Sequence, residues 1–411
     1  MDMDTAKQDE AEFPPVGIRV RLKPGRDTPL LRGSAWVFSG AIDETDGTAP
    51  PGAVADVFDQ DGNWIGRGLW TPEAGMAVRI LTRDPLQAVD EAFLRAQIRR
   101  AVDLRRRLVE SPAAKNETTA FRLLFSEADG LSGLLADRYA DWIVLQVAGR
   151  AWEPWLPIIA DELKAAAGTS HVMLRPDPEA VRREGLPGHL GGDTPPDVLS
   201  FRENGFTFET PLAAGQKTGF YLDQRENRRR VAAYARGRSV LSAYCYTGAF
   251  EICAAHAGAA RILGLDSSEA ALAQARRHHE LNPSGVPAEY EAADVPTRLR
   301  RARDQRENWD LIILDPPRLV ASRDGLEKGL RAYKDVNLLA VKLLTPGGIL
   351  ATFSCSGWVG MADFRRMLGW AAHDAGRRVR IIETLGQPGD HPIPVDMPEC
   401  EYLKGLVCVV D

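Results

Sequence analysis

The sequence contains no apolar run of the roughly 18 residues that a membrane-spanning helix needs. Its opening, MDMDTAKQDEAEFPP, lacks the basic-then-apolar pattern of a secretory signal. Membrane contact is therefore not expected, and the cytoplasm is the expected compartment. Cysteine is scarce. Cys245, Cys253, Cys355, Cys400 and Cys408 form neither a CxxC pair nor a Cys/His metal spacing, and an odd number suits a reduced chain better than a disulfide scaffold. No metal is expected. Positive charge is not in excess either: a net charge of −6 argues against a protein that coats nucleic acid non-specifically. The GxGxxG fingerprint of dinucleotide binders is also missing, which removes the pyrophosphate cradle and makes NAD a poor candidate.

What is present is globular sequence long enough for two or three domains: 411 residues, 44% hydrophobic and 26% charged. From Ile18 to about Asp84 the chain reads as short strands broken by turns (IRVRL, WVFSGAI, MAVRIL). DQDGNWIG places Asp-Gly between alternating runs, a hairpin signal. A small β domain or barrel follows. EAFLRAQIRRAVDLRRRLV has helical spacing and connects to residues 121–176, which read in the order strand, strand, helix, strand. A Gly/Pro-rich loop (GLPGHLGGDTPPD) comes next, and then NGFTFETPL, which reads as a further strand pair.

From Ser239 onward strands and helices alternate, which predicts an α/β domain with a mainly parallel sheet covered on both faces. The last two strands have no helix between them, so one should enter antiparallel. Two arginine clusters stand out. The one at Arg95, Arg99, Arg100, Arg105, Arg106 and Arg107 is read as a solvated helix face. The one at Arg225, Arg228, Arg229, Arg230, Arg236 and Arg238 is read as a source of phosphate contacts.

The chemistry gathers at predicted strand ends, where ligands bind in open α/β sheets. YCYTGAF makes the first strand-to-helix turn, with Thr247 and Gly248 opening the helix. Asp266 ends RILGLD, where a carboxylate can accept ribose hydroxyls or cap the next helix, and Asp294 carries the same two readings. A nucleoside ligand without pyrophosphate points to S-adenosylmethionine. The fourth strand ends in Asp315-Pro316-Pro317, a rigid turn that fixes a carboxylate. The fifth ends in Ser354-Cys355-Ser356, placing a thiol at the exit of a buried strand rather than inside it. A thiolate there can add to C6 of a flipped cytosine and make C5 nucleophilic. Asp315 could then bind the N3/N4 edge.

These motifs, with GQKTGFYLDQREN, KPGRDTPLLRGSAWVFSGAI, SEADGLSGLLADRY and PECEYLKG, closely resemble the large-subunit ribosomal RNA cytosine-C5 methyltransferase family over almost the whole chain. The resemblance implies a tail at residues 1–15 and a PUA-like RNA-binding domain at 16–88. It further implies a connector helix with an α+β middle domain (strand-strand-helix-strand-strand) at 89–200, and a class I methyltransferase domain at 201–411. It implies that Gln216, Lys217, Thr218, Phe220, Tyr221, Asp223 and Arg225 cover the methionine end of S-adenosylmethionine, Asp223 as partner of its ammonium. Tyr246, Thr247 and Gly248 would line the methionine, Asp266 take the ribose, Ser267 flank the adenine and Asp294 approach its amine, with Asp315 and Pro316 beside them. Cys355 matches the nucleophile, large-subunit ribosomal RNA would be the partner, and a homodimer is left open.

The chain departs from the family at Ser132, where Pro is usual, and at Ser242, where Asn or Asp is more frequent. Arg318 occupies the place where another RNA cytosine methyltransferase group has a second cysteine. Two other readings stand beside this one. The first is a purine N-methyltransferase, whose fourth-strand motif carries an aromatic residue where Arg318 stands. The second is an RNA-binding or assembly protein with a vestigial methyltransferase domain.

Overall fold

The computed structural model of the chain describes residues 16–109, 117–212 and 218–411. The expected tail at residues 1–15 lies outside them. The chain forms two compact units, one within Met1–Val109, Phe121–Pro195 and Pro394–Met397, the other within Glu110–Ala120, Pro196–Ile393 and Pro398–Asp411. The first unit takes in the region expected as PUA-like and most of that expected as the middle domain. Among the described residues no helix is long and apolar enough to cross a membrane.

The first unit opens with β1 (Ile18–Leu22), α1 (Thr28–Leu31), β2 (Trp36–Phe38), β3 (Ile42–Asp46), β4 (Val54–Phe58), β5 (Trp64–Trp70) and β6 (Met76–Thr82). Their six-stranded sheet has the order β2-β6-β5-β4-β1-β3. IRVRL alternates as its sequence requires, with Ile18, Val20 and Leu22 buried and the two arginines outward. The Asp59 carboxylate closes the β4–β5 turn by accepting the backbone N–H groups of Asp61 and Asn63, at 2.9 and 2.8 Å.

The connector is α2 (Glu91–Val109). Its arginine face is only partly solvated: Arg95 and Arg99 share Glu162, and Arg105 is fully buried against Asp129. Next come β7 (Ala120–Phe125), β8 (Leu134–Tyr139), β9 (Trp142–Val147), α3 (Leu156–Ala167), β10 (His171–Pro176) and α4 (Pro178–Glu184), with sheet order β10-β9-β8-β7. This corrects the strand-strand-helix-strand-strand expectation, since three strands precede the helix. The run LLADRYADWIVLQV turns back at Ala140, which adopts φ 54°. No Gly, Pro or Asn marks that reversal, so the residue pattern read as one continuous element.

The second unit begins with the hairpin β11 (Leu199–Glu203) and β12 (Phe206–Thr210), turned by Asn204 and Gly205, both at positive φ. The alternating part then runs α5 (Arg225–Ala232), β13 (Ser239–Ala243), α6 (Ala249–His256), β14 (Arg261–Asp266), α7 (Glu269–Leu281), β15 (Ala288–Ala292), α8 (Val295–Asp304), β16 (Trp309–Leu314), α9 (Leu326–Leu343), β17 (Leu344–Ser354), α10 (Met361–Ala375), β18 (Val379–Gly386) and β19 (Lys404–Val410). The sheet order is β15-β14-β13-β16-β17-β19-β18, and β19 runs antiparallel to both its neighbours, as the missing helix predicted. One core, including Leu314, Tyr333, Leu350 and Phe364, fills one face; a second, including Val240, Phe250, Ile313 and Phe353, fills the other. Strand order reverses between β13 and β16, so a ligand crevice is expected at the carboxyl ends of these two strands.

Candidate active site

A cavity of about 510 Å³ lies at that crevice, inside the range that suits a nucleoside-sized ligand. Its walls come from the loops after β13, β14, β16 and β17, from the segment before α5, and from the stretch before β19.

The loop after β13 is held in an unusual shape. Tyr244 (φ 65°) and Tyr246 (φ 50°) both occupy the left-handed region, which costs on the order of 1 kcal/mol or more each for a non-glycine residue. Asp266 supports this shape, accepting the Tyr246 N–H at 3.0 Å with one oxygen and the Ser268 N–H at 2.9 Å with the other. The cap of α7 is Ser268, not Asp266, so the helix-capping alternative for Asp266 falls away. Gly248 begins α6 at φ 78°, and a Cβ there would lie 2.9 Å from the Ala275 side chain. Thr247 Oγ1 is buried and has no hydrogen-bond partner among the described residues, leaving a polar group for a ligand.

The SCS segment is pinned by its serines. Ser354 Oγ donates to the Tyr333 hydroxyl at 3.0 Å, that hydroxyl lies 3.1 Å from Ser356 Oγ, and Ser356 Oγ accepts the Val320 N–H at 3.2 Å. Both serines are fully buried, while Cys355 between them is half-buried and lines the cavity with Asp315. The other cysteines contrast with it. Burial pushes Cys253 and Cys408 up to about 12 and Cys245 higher still, which keeps them as thiols.

Of the residues expected to hold the cofactor, Phe220, Tyr221, Asp223, Tyr246, Thr247, Asp266, Ser267, Asp315 and Pro316 line the cavity. Thr218 and Gly248 do not; Thr218 is buried beside this wall, and Gly248 supplies the helix start behind it. Gln216 and Lys217 lie outside the described residues.

Asp294 is exposed, caps α8 through the Thr297 N–H at 3.1 Å, and is not among the residues that line the cavity. Arg225, for which the resemblance allowed either a cofactor-carboxylate partner or an ordering residue, forms a buried two-pronged pair with Asp390 at 2.9 and 3.0 Å, which favours the ordering role. The phosphate reading fails for Arg225 and Arg228 for the same reason, whereas Arg229 and Arg236 are exposed. Arg228 is enclosed against Glu203 and stacks over Phe220 at 4.7 Å, and Arg230 pairs with Glu383.

Residues that sequence reasoning passed over include Tyr244, Phe250, Tyr402 and Leu403. Tyr402 was within reach, since it belongs to PECEYLKG. Its hydroxyl donates to Asp223 Oδ2 at 2.7 Å and so fixes the carboxylate proposed for the cofactor ammonium. Tyr402→Phe is expected to weaken S-adenosylmethionine binding roughly tenfold, the scale of a hydrogen bond to a charged group. Calorimetry decides this, and an unchanged Kd would show that Asp223 needs no such support.

Behind the loop, Glu251 is fully buried in α6. Burial pushes its carboxyl up to about 7, partly offset by the Ser242 hydroxyl beside it. Its folded-state value thus lies above the ordinary one, so its contribution is fully present below about pH 4.5 and is lost as pH rises through 7. Wild type should lose on the order of 3 kcal/mol across that window relative to Glu251→Gln. Parallel pH profiles of denaturant unfolding for the two chains would contradict it.

The PUA-like domain family model matches residues 20–83, and the S-adenosylmethionine-dependent methyltransferase model matches residues 159–407. The ribosomal RNA large subunit methyltransferase I of Shewanella denitrificans is 41% identical over 400 residues, covering 96% of this chain and 100% of its own. That of Cronobacter sakazakii is 37% identical over 399 residues with the same coverage. Among solved structures, a chain from Streptococcus mutans assigned as a SAM-dependent methyltransferase superposes with a TM-score of 0.79 at 19% identity, over 95% of this chain and 99% of its own. A methyltransferase complexed with SAH gives 0.80 at the same identity and coverage. Such low identity speaks for the fold alone. The cavity suits the cofactor named by the family: it offers carboxylates, aromatic walls and a buried hydroxyl without a partner among the described residues. Full-length relatives and both domain models agree that this chain belongs to the ribosomal RNA large subunit methyltransferase I family of S-adenosylmethionine-dependent methyltransferases.

Proposed function

We propose that this chain methylates C5 of a cytosine in large-subunit ribosomal RNA through a covalent adduct with Cys355. The observation that carries the reading is the shared cavity of Cys355 and Asp315 at the strand ends where the cofactor residues converge. The relatives' names supply the substrate class.

Bound S-adenosylmethionine would present a sulfonium methyl group, an electrophile that needs a nucleophilic carbon. The Cys355 sulfur forms a bond to C6 of the flipped base, and the electron pair of the C5–C6 double bond is displaced towards C5. Asp315, on the rigid Pro316-Pro317 turn, hydrogen-bonds the N3/N4 edge and stabilises the charge that spreads into the ring. Once C5 has been methylated and has lost its proton to a base, elimination of Cys355 restores the ring. Asp223 and Asp266 hold the cofactor ends. The first unit's PUA-like domain contributes RNA contacts through shape and backbone.

RNA containing 5-fluorocytosine tests this, because fluorine at C5 cannot leave as a proton and the adduct should persist. A stable protein–RNA conjugate that maps to Cys355 is expected. Turnover with methyl label on a purine and no conjugate would favour purine N-methylation instead.

A further inference from the structure

PECEYLKG carried part of the resemblance, yet only its tyrosine has so far been given a role. Lys404 of the same segment opens β19 directly opposite Ser354 in the antiparallel ladder with β17. It is 2% exposed. Its ammonium donates to the Ser356 carbonyl at 2.8 Å and the Tyr402 carbonyl at 2.9 Å. The charge therefore sits between the residues that flank Cys355 on one side and the residue that orients Asp223 on the other. Among the described residues it forms no ion pair with a carboxylate. A buried ammonium satisfied by carbonyls alone is expensive unless an anion comes close. Burial pulls Lys404 down to about 8, while the Glu401 carboxylate and Cys355 act in the opposite direction. At neutral pH it remains mostly charged.

Among the described residues, the other groups that share the cavity with Cys355 supply no uncompensated buried positive charge. Asp315, Asp223 and the Tyr221 hydroxyl share its cavity and give no positive charge. The Tyr333 hydroxyl below it is committed to Ser354 and Ser356. Of the cations lining the cavity, Arg228 is paired with Glu203, and exposed Arg318 is turned onto the carbonyls of Val320 and Ala321.

We propose that Lys404 is the fixed counter-charge that holds Cys355 as a thiolate. It acts as a positioning residue that keeps all its protons, while the thiol proton leaves to solvent through the cavity mouth. This rests on the reading of Cys355 as the nucleophile. It also gives β19 a reason to lie between β17 and β18: that placement brings its first residue alongside the SCS turn.

The test reads the sulfur directly, on the full chain without RNA or cofactor. Cys355 Sγ is alkylated with iodoacetamide, displacing iodide, and the rate is followed across pH by mass spectrometry of the Cys355 peptide. In Lys404→Gln, which keeps a donor for the carbonyls but loses the charge, alkylation at pH 7 should be roughly tenfold slower, with the profile moved up by about one unit. Lys404→Arg should keep the wild-type profile. Superimposable profiles for wild type and a cooperatively melting Lys404→Gln overturn the proposal, as does an arginine variant that follows the glutamine one. Should Lys404→Gln not fold, the reciprocal titration decides. In Cys355→Ser the Lys404 Cε resonance should titrate at lower pH than in wild type, and an unmoved titration refutes the coupling. A pH-dependent thiolate with no 5-fluorocytosine conjugate would sink the proposed reaction and leave this assignment standing.

Discussion

Replacing Cys355 with Ala is expected to abolish methyl transfer to RNA while leaving S-adenosylmethionine bound. The loss should reach on the order of a thousandfold or more, since removing a covalent nucleophile takes away a whole reaction path rather than a fraction of transition-state contact. Cofactor affinity should survive because the side chain being trimmed is small and the carboxylates at Asp223 and Asp266 stay in place. The serines on either side are bonded to Tyr333 independently of the thiol, so the turn should keep its shape. Methyl incorporation from labelled cofactor and calorimetry on the same preparation measure both quantities. Turnover within a few-fold of wild type would end the covalent mechanism and favour purine chemistry; loss of cofactor binding alongside turnover would point to a structural role for the cysteine.

The second large effect concerns stability. Asp390→Ala leaves the Arg225 guanidinium buried with its two-pronged partner gone. Both side chains of the pair are almost completely enclosed, at 4% and 0% exposure. Breaking such a pair costs about 3–5 kcal/mol, equivalent to a melting temperature lower by roughly 10 °C in a unit of this size. The double replacement Arg225→Met with Asp390→Leu should recover most of the loss, because it removes both desolvation costs together. Burial by itself would raise the Asp390 carboxyl, but the Arg225 guanidinium and His391 beside it hold it far below the usual carboxylate range. Its stabilising contribution is therefore present above about pH 4 and is lost only as pH falls through strongly acidic values. Calorimetric melting of the three chains checks the cycle. A single Asp390→Ala change within 1 kcal/mol of wild type would mean that water or Glu226 takes over the guanidinium.

Much of the site could be read from residue order. Asp266, Asp315 and Cys355 are each the last or next residue of an apolar run, and in a parallel sheet all such ends lie on one edge. Asp294 carried two readings by the same rule; it lies two residues beyond β15, the outermost strand, and its carboxylate caps the helix that follows. Arg225 and Arg228 did mislead, because a dense run of arginines looks the same in sequence whether it faces solvent or carboxylates. Here Glu203 and Asp390 wait inside the fold.

Local pattern alone determined the alternation of strand and helix, the antiparallel last strand, the exit of Cys355 from a buried run and the absence of a pyrophosphate loop. Each of these depends on residues within a few positions of one another, where periodicity and turn chemistry act. The tertiary structure decided which charge meets which. Asp223 is held by Tyr402, 179 positions away, and Arg225 by Asp390, 165 positions away. No short-range rule reaches so far: electrostatic partners are chosen by proximity in space after burial, and burial is settled only when the sheet has closed its order.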